Sequence, residues 1–171
     1  MKSGRGKGDK GHVKYCFGDE YKGSNFVGLI GSIDGLMSHI AFLSSLLEDD
    51  FHVYKSQLLN ISRNLSVIAG ELATESIVFD EESITIIEHY TDELESNLPR
   101  IKKFISLVGT KSSSYAHVVR AEVRKAEREY FIVLQERKIN PVGAVYLNRL
   151  SDYFFALART IANYYKVEEY L

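Results

Sequence analysis

Between residues 54 and 72 the apolar positions Tyr54, Leu58, Ile61, Leu65, Ile68 and Leu72 step by four and three, as one face of a helix requires. An earlier segment does the same through Phe26, Ile30, Ile33, Met37, Ile40 and Leu43. A third begins near Asp80, where Asp-Glu-Glu-Ser supplies acids and a capping side chain, and ends at Asn97-Leu98-Pro99. Ala116, Val119, Val123, Ala126, Tyr130 and Val133 mark a fourth helix. A fifth starts at Pro141 and carries Leu147, Leu150, Phe154, Leu157, Ile161 and Tyr164. No segment shows sustained period-two alternation closed by hairpin turns, and residues 101–109 (IKKFISLVG) are expected to form a helical turn and a loop. The pattern predicts an all-α fold, an antiparallel five-helix bundle with a glycine-rich N-terminal loop.

Composition narrows this picture. A chain of 171 residues with 45% hydrophobic content is expected to form a single domain over residues 1–171. Eight of the twelve glycines fall in residues 1–31, while Pro99 and Pro141, the two prolines, sit between periodic segments. The 21 basic and 23 acidic residues nearly cancel, so no global field favours nucleic acid or an anionic membrane as a partner, and any anion site must be local. Cys16 is the single cysteine, which excludes an internal disulfide and leaves no zinc-ligand spacing. No apolar run is read as approaching the roughly 18 residues of a membrane span, and a cytoplasmic protein is expected.

Polar residues flank the apolar stripes in a pattern that carries chemistry. On the fourth helix Arg120, Arg124, Glu127 and Arg128 fall on one side of the seam, with Glu122, Lys125 and Glu129 turned outward. A solvated face with i,i+4 pairs satisfies this spacing, and so does a phosphate site, because the guanidinium fork suits anionic oxygens. On the fifth helix Asn148, Asp152 and Arg159 line up beside the seam, where interhelical hydrogen bonds are the simplest role. Asp34 lies among Ile33, Leu36 and Met37, and a charge so placed calls for a cation partner.

Familiar enzyme signatures are missing. The histidines at 12, 39, 52, 89 and 117 form no paired-ligand spacing, no metal ligands are assigned, and there is no Gly-x-Ser-x-Gly elbow. Gly6-x-Gly8-x-x-Gly11 matches the letters of a dinucleotide fingerprint, but only five mostly polar residues precede it where a strand is needed. The stretch SGRGKGDKG, residues 3–11, reads equally as a flexible basic leader and as a nest of backbone N–H groups ringed by ammonium heads.

Taken in order, Gly8-Asp9-Lys10-Gly11, Lys22, Gly31-Ser32-Ile33-Asp34, Glu71-Leu72-Ala73-Thr74, Phe104, Arg120-x-x-x-Arg124-Lys125-Ala126-Glu127-Arg128 and Tyr146-Leu147-Asn148-Arg149-Leu150-Ser151-Asp152 resemble the PduO-type ATP:cob(I)alamin adenosyltransferases over nearly the whole chain. The resemblance implies a homotrimer of five-helix bundles that transfers the 5′-deoxyadenosyl group of ATP to the cobalt of a reduced corrinoid and releases triphosphate. ATP, Mg²⁺ and cob(I)alamin are the implied ligands, with a corrinoid reductase as an implied partner.

By the same resemblance residues 1–24 hold the ATP loop. Arg5, Gly6, Lys7, Gly8, Asp9, Lys10, Gly11, His12 and Val13 would wrap the triphosphate together with Lys22. Arg124, Lys125, Glu127 and Arg128 would meet ATP from the fourth helix, with Asn148 at the nucleoside end. Asp34 would pair with Arg120 across a subunit interface and shape the corrinoid pocket, and Phe104 would displace the lower ligand of cobalt. Arg124, Arg128, Asp34 and Arg120 are thus the expected catalytic group. The chain departs from the family pattern at Val13, which stands for threonine, at Gly35-Leu36-Met37 for Glu-Leu-Asn, at Leu107-Val108-Gly109 for Pro-Gly-Gly, and at Lys125 for arginine. These departures leave a non-catalytic trimeric nucleotide or corrinoid binder as the alternative.

Overall fold

The computed structural model describes residues 6, 8–76 and 78–171. Five helices make up the body: α1 (Asn25–Leu46), α2 (His52–Thr74), α3 (Glu82–Ser96), α4 (Lys111–Glu136) and α5 (Val142–Tyr164). The hydroxyl of Ser24 caps α1 by accepting the Val27 N–H at 3.2 Å. Asp80, one of the acids expected to start the third helix, accepts the Glu82 N–H through Oδ1 at 3.2 Å. Short connections join α1 to α2 and α4 to α5, which makes each pair antiparallel neighbours. The helices form the expected bundle.

α5 is the central element, with 14 of its 23 residues buried. It packs on α4 and α3, while α1 packs on α4 and α2. Two polar links tie α2 to α5: Asn64 donates to the Tyr146 hydroxyl at 3.2 Å, and the Tyr153 hydroxyl donates to Gln57 Oε1 at 2.9 Å. All six apolar residues expected on the fourth helix are buried, as are five of those on the fifth; Tyr164, the sixth, is exposed.

The first stripe is rotated from its expected angle. α1 buries Phe26, Leu29, Ile33, Leu36, Ile40 and Leu43, while Ile30 and Met37 are only half-buried. The reason is that α1 is apolar around most of its circumference, so periodicity alone does not choose the inward angle. For the same reason the expectation of no span-length apolar segment is corrected. This 22-residue helix, with a mean hydropathy of 1.6 in its best window, is long and apolar enough to cross a membrane by composition. Its inward stripe, no more than 1% exposed, belongs to the bundle core.

Two local expectations also change. Before α1 stands an antiparallel hairpin, β1 (His12–Tyr15) and β2 (Gly18–Tyr21), with His12 opposite Tyr21 and Tyr15 opposite Gly18. Four-residue strands hold too few alternations to register as period two. The hairpin is held from outside instead. Tyr15 and Phe17 stack at 5.4 Å, and both meet Phe26 edge-on at 5.7 Å. The Arg137 guanidinium lies 4.1 Å from the Phe26 ring centre and pairs with Glu20 at 2.8 Å. Residues 101–109 contain no helical turn; they form an irregular connection with one isolated antiparallel bridge, Ile105 to Tyr170.

Candidate functional site

The N-terminal loop is drawn into a compact turn over the start of the hairpin. The Gly11 N–H donates to the Gly8 carbonyl at 3.2 Å, and the Lys22 N–H donates to the Gly11 carbonyl at 2.8 Å. Gly11 sits at φ 76°, where a Cβ would be strained, and the Lys22 ammonium occupies the space a Cβ on Gly8 would need. Glycine at position 8 thus lets an ammonium group lie directly against the backbone, and glycine at position 11 permits the turn's positive φ. Asp9 and Lys10 are exposed on the turn, His12 Nδ1–H donates to the Lys10 carbonyl at 3.1 Å, and Val13 is half-buried in β1. Arg5 and Lys7 lie outside the described residues.

On α4 the three arginines share one flank, as the spacing predicts. Arg124 and Arg128 are exposed and make no ion pair among the described residues. Arg120 is half-buried with its guanidinium 5.2 Å from the Phe155 ring centre. Burial first, and then the neighbouring charge of Arg124, lower its pKa from the ordinary guanidinium value, while Asp152 acts in the opposite direction. Glu127 is engaged by Asn148, whose Nδ2 donates to Oε1 at 2.7 Å across the α4–α5 interface. Asn148 Oδ1 in turn accepts from Arg149 at 2.6 Å, and Arg149 pairs with Glu88 on α3 at 2.7 Å. This chain of bonds fixes the Asn148 amide. Lys125 reaches Glu122 at 3.9 Å on the outer face. Glu129, expected on that face, is half-buried, with Oε2 buried and unpartnered among the described residues.

The line Asn148, Asp152 and Arg159 divides into three roles. Asn148 holds Glu127; Asp152 is exposed beside Glu88 and Arg149 in a cavity of about 310 Å³; Arg159 is buried against Glu168. Asp34 is exposed on α1 and pairs with no cation among the described residues of its own chain. Phe104 projects from the irregular connection with 87% of its surface exposed. Within one chain the described loop residues make no hydrogen bond or ion pair to Arg124 or Arg128.

Glu71, quoted above only as the first residue of a family motif, has a structural part in the fold. The Glu71 carboxylate accepts the Val78 and Phe79 N–H groups at 2.8 and 2.7 Å and the Asn140 amide at 3.3 Å, which ties the α2–α3 connection to the start of α5. These partners are seven, eight and 69 positions away, outside any helical spacing.

A profile of the family described as Cobalamin adenosyltransferase matches residues 5–161. The chain belongs to that family. A corrinoid adenosyltransferase of Bacillus subtilis is 35% identical over 90% of this chain and 83% of its own. Corrinoid adenosyltransferase MMAB of Mus musculus is 33% identical over 91% and 70%, respectively. Among solved structures, a variant PduO-type ATP:co(I)rrinoid adenosyltransferase from Lactobacillus reuteri complexed with ATP superimposes with a TM-score of 0.89 at 32% identity, covering 96% of both chains. Another variant from that organism, complexed with cobalamin and ATP, gives 0.89 at 34% identity over 96% of this chain and 92% of its own.

Proposed function

We propose that this protein transfers the 5′-deoxyadenosyl group of ATP to the cobalt of cob(I)alamin or a related corrinoid and releases triphosphate. The observation that carries this reading is the pair Arg124 and Arg128, exposed on α4 with no ion pair among the described residues, beside the bonded Glu127–Asn148 pair. The electron pair of Co(I) attacks C5′ and forms the Co–C bond as the C5′–O bond breaks, so that cobalt passes formally from +1 to +3 and the bonding pair leaves with triphosphate. The corrinoid is its own nucleophile, and the chain need supply no catalytic Ser, Cys or His.

The chain's work is position and charge. Arg124 and Arg128 hold the triphosphate as charge gathers on it, and the turn over Gly8–Gly11 brings up Lys10 and Lys22. Asn148, immobilised by Glu127 and Arg149, orients the nucleoside end. The described residues of the turn make no bond to the arginine flank within one chain, in keeping with an ATP site that draws on two copies of a homotrimer, with Asp34 of one copy facing Arg120 of the next. Phe104 displaces the lower ligand of cobalt, leaving a four-coordinate cob(II)alamin that is easier to reduce, and a corrinoid reductase supplies the electron.

Mg²⁺ would come bound to the nucleotide. No group of three His, Cys, Asp or Glu residues among the described ones could cage a metal ion, but Mg²⁺ bound mainly by phosphates needs one or two carboxylates, and Asp9, exposed on the turn, would supply one. Bound there, it would add charge stabilisation at the leaving triphosphate.

Anaerobic incubation with chemically reduced cob(I)alamin, ATP and Mg²⁺ tests the reading. Adenosylcobalamin and triphosphate are expected in equal amounts. ATP binding without either product would leave a non-catalytic trimeric binder.

A further inference from the structure

Beyond α5 the chain reverses on itself. Lys166 adopts φ 57°, its N–H donates to the Asn163 carbonyl at 3.0 Å, and the Val167 N–H donates to the Ala162 carbonyl at 2.9 Å, the paired bonds of a Schellman cap. The reversal carries residues 167–171 back to the connection that bears Phe104. There the Ser106 N–H donates to the Glu169 carbonyl at 2.8 Å, the Leu171 N–H donates to the Phe104 carbonyl at 2.8 Å, and Ile105 and Tyr170 form the antiparallel bridge.

One buried group serves both strands of this contact. Arg159, only 5% exposed, donates through Nε to Glu168 Oε1 at 2.8 Å and through Nη2 to the Pro99 carbonyl at 2.8 Å and to Glu168 Oε2 at 3.4 Å. It therefore ties the start of the connection and the start of the returning tail to the middle of α5. Phe104 has almost no side-chain packing of its own, so its backbone bond to Leu171 is what places it. The profile shared by the family stops at residue 161, before the tail.

We propose that residues 167–171 form a strap that sets the position of Phe104, with Arg159 and Glu168 as positioning residues for the corrinoid step. The inference rests on the role given to Phe104 above. A buried fork with two acceptors fixes distance and angle together, which an apolar contact of equal volume does not.

The double substitution Arg159→Met/Glu168→Leu tests this, because replacing a buried ion pair by apolar groups of similar size tends to preserve the fold. The variant is expected to keep its melting temperature and to bind ATP within about twofold of the unmodified chain. Its yield of four-coordinate cob(II)alamin, read spectroscopically with ATP bound, and its kcat/KM for the corrinoid should fall by about tenfold or more. Hydrogen exchange at the Ser106 amide should accelerate. A folded variant with unchanged Ser106 exchange and an unchanged four-coordinate yield overturns the strap. Should the double variant not fold, Glu168→Gln, which keeps shape and an acceptor, is judged by the same readings. If the unmodified chain makes neither adenosylcobalamin nor the four-coordinate species, the functional reading fails, and Ser106 exchange alone decides: faster exchange upholds the strap, and equal exchange overturns it.

Discussion

Arg124 and Arg128 stand on an unbroken 26-residue helix whose inner residues Val123, Ala126 and Tyr130 are completely buried, whereas Phe104 stands on an irregular connection joined to the tail by two backbone hydrogen bonds. The two sides of the proposed site are thus held by different means. On the arginine side each charge inherits its place from the helix, and loss of one side chain leaves the scaffold intact. On the Phe104 side the aromatic ring is exposed and the backbone beneath it is positioned by contacts far away in the chain. Such a segment opens locally at lower free energy than a packed helix. On the proposed function, a polyphosphate would be met by a preset array of charge, and the lower face of a corrinoid by a backbone segment held through its bonds to the tail.

The largest expected effect lies on the rigid side. Arg124→Ala should weaken ATP binding by about 100-fold, the loss expected for a charge-assisted hydrogen bond of about 3 kcal/mol, with no change in helical circular dichroism. Unchanged affinity by calorimetry would mean the flank is only a solvated face. Next comes Phe104→Ala, which should lower kcat/KM for the corrinoid by about tenfold while ATP affinity holds and stability changes by less than about 0.5 kcal/mol. Equal losses for both substrates would erase the distinction between the two sides.

The smallest effect concerns His117 on α4, whose ring centre lies 6.2 Å from that of Phe155. Burial, and then the Arg120 charge, push its pKa down to about 4, with Glu168 opposing. A base whose folded pKa is depressed favours its neutral form, so this contribution is fully present above about pH 6.5 and is lost as pH falls toward 4. With residual solvent contact allowed for, it amounts to about 1 kcal/mol. His117→Gln should flatten the melting-temperature profile across that window, and identical profiles would remove His117 from the account.

Much of this was legible along the chain because helices are written locally. Leu58, Ile61, Leu65, Ile68 and Leu72 reveal their shared face through spacing alone, and the structure buries all five. The arginine flank follows from the same arithmetic. Where a helix is apolar nearly all round, the arithmetic loses its reference, and Leu29 and Leu36 take the core places expected of Ile30 and Met37. The hairpin was hidden for another reason: its strands are four residues long, and the aromatic contact with Phe26 and the Arg137–Glu20 pair hold it from another part of the chain.

The sequence by itself determined the five helices, their order, the arginine flank and the family resemblance, since each rests on neighbours three or four positions apart or on motifs read in order. Only the tertiary structure decided which side of α1 faces inward, that the glycine-rich turn rests on a hairpin with Lys22 against Gly8, and that Arg159 joins Glu168 to Pro99. Those contacts unite residues up to 60 positions or more apart, and no local period records a bond between atoms that meet only after the helices have packed.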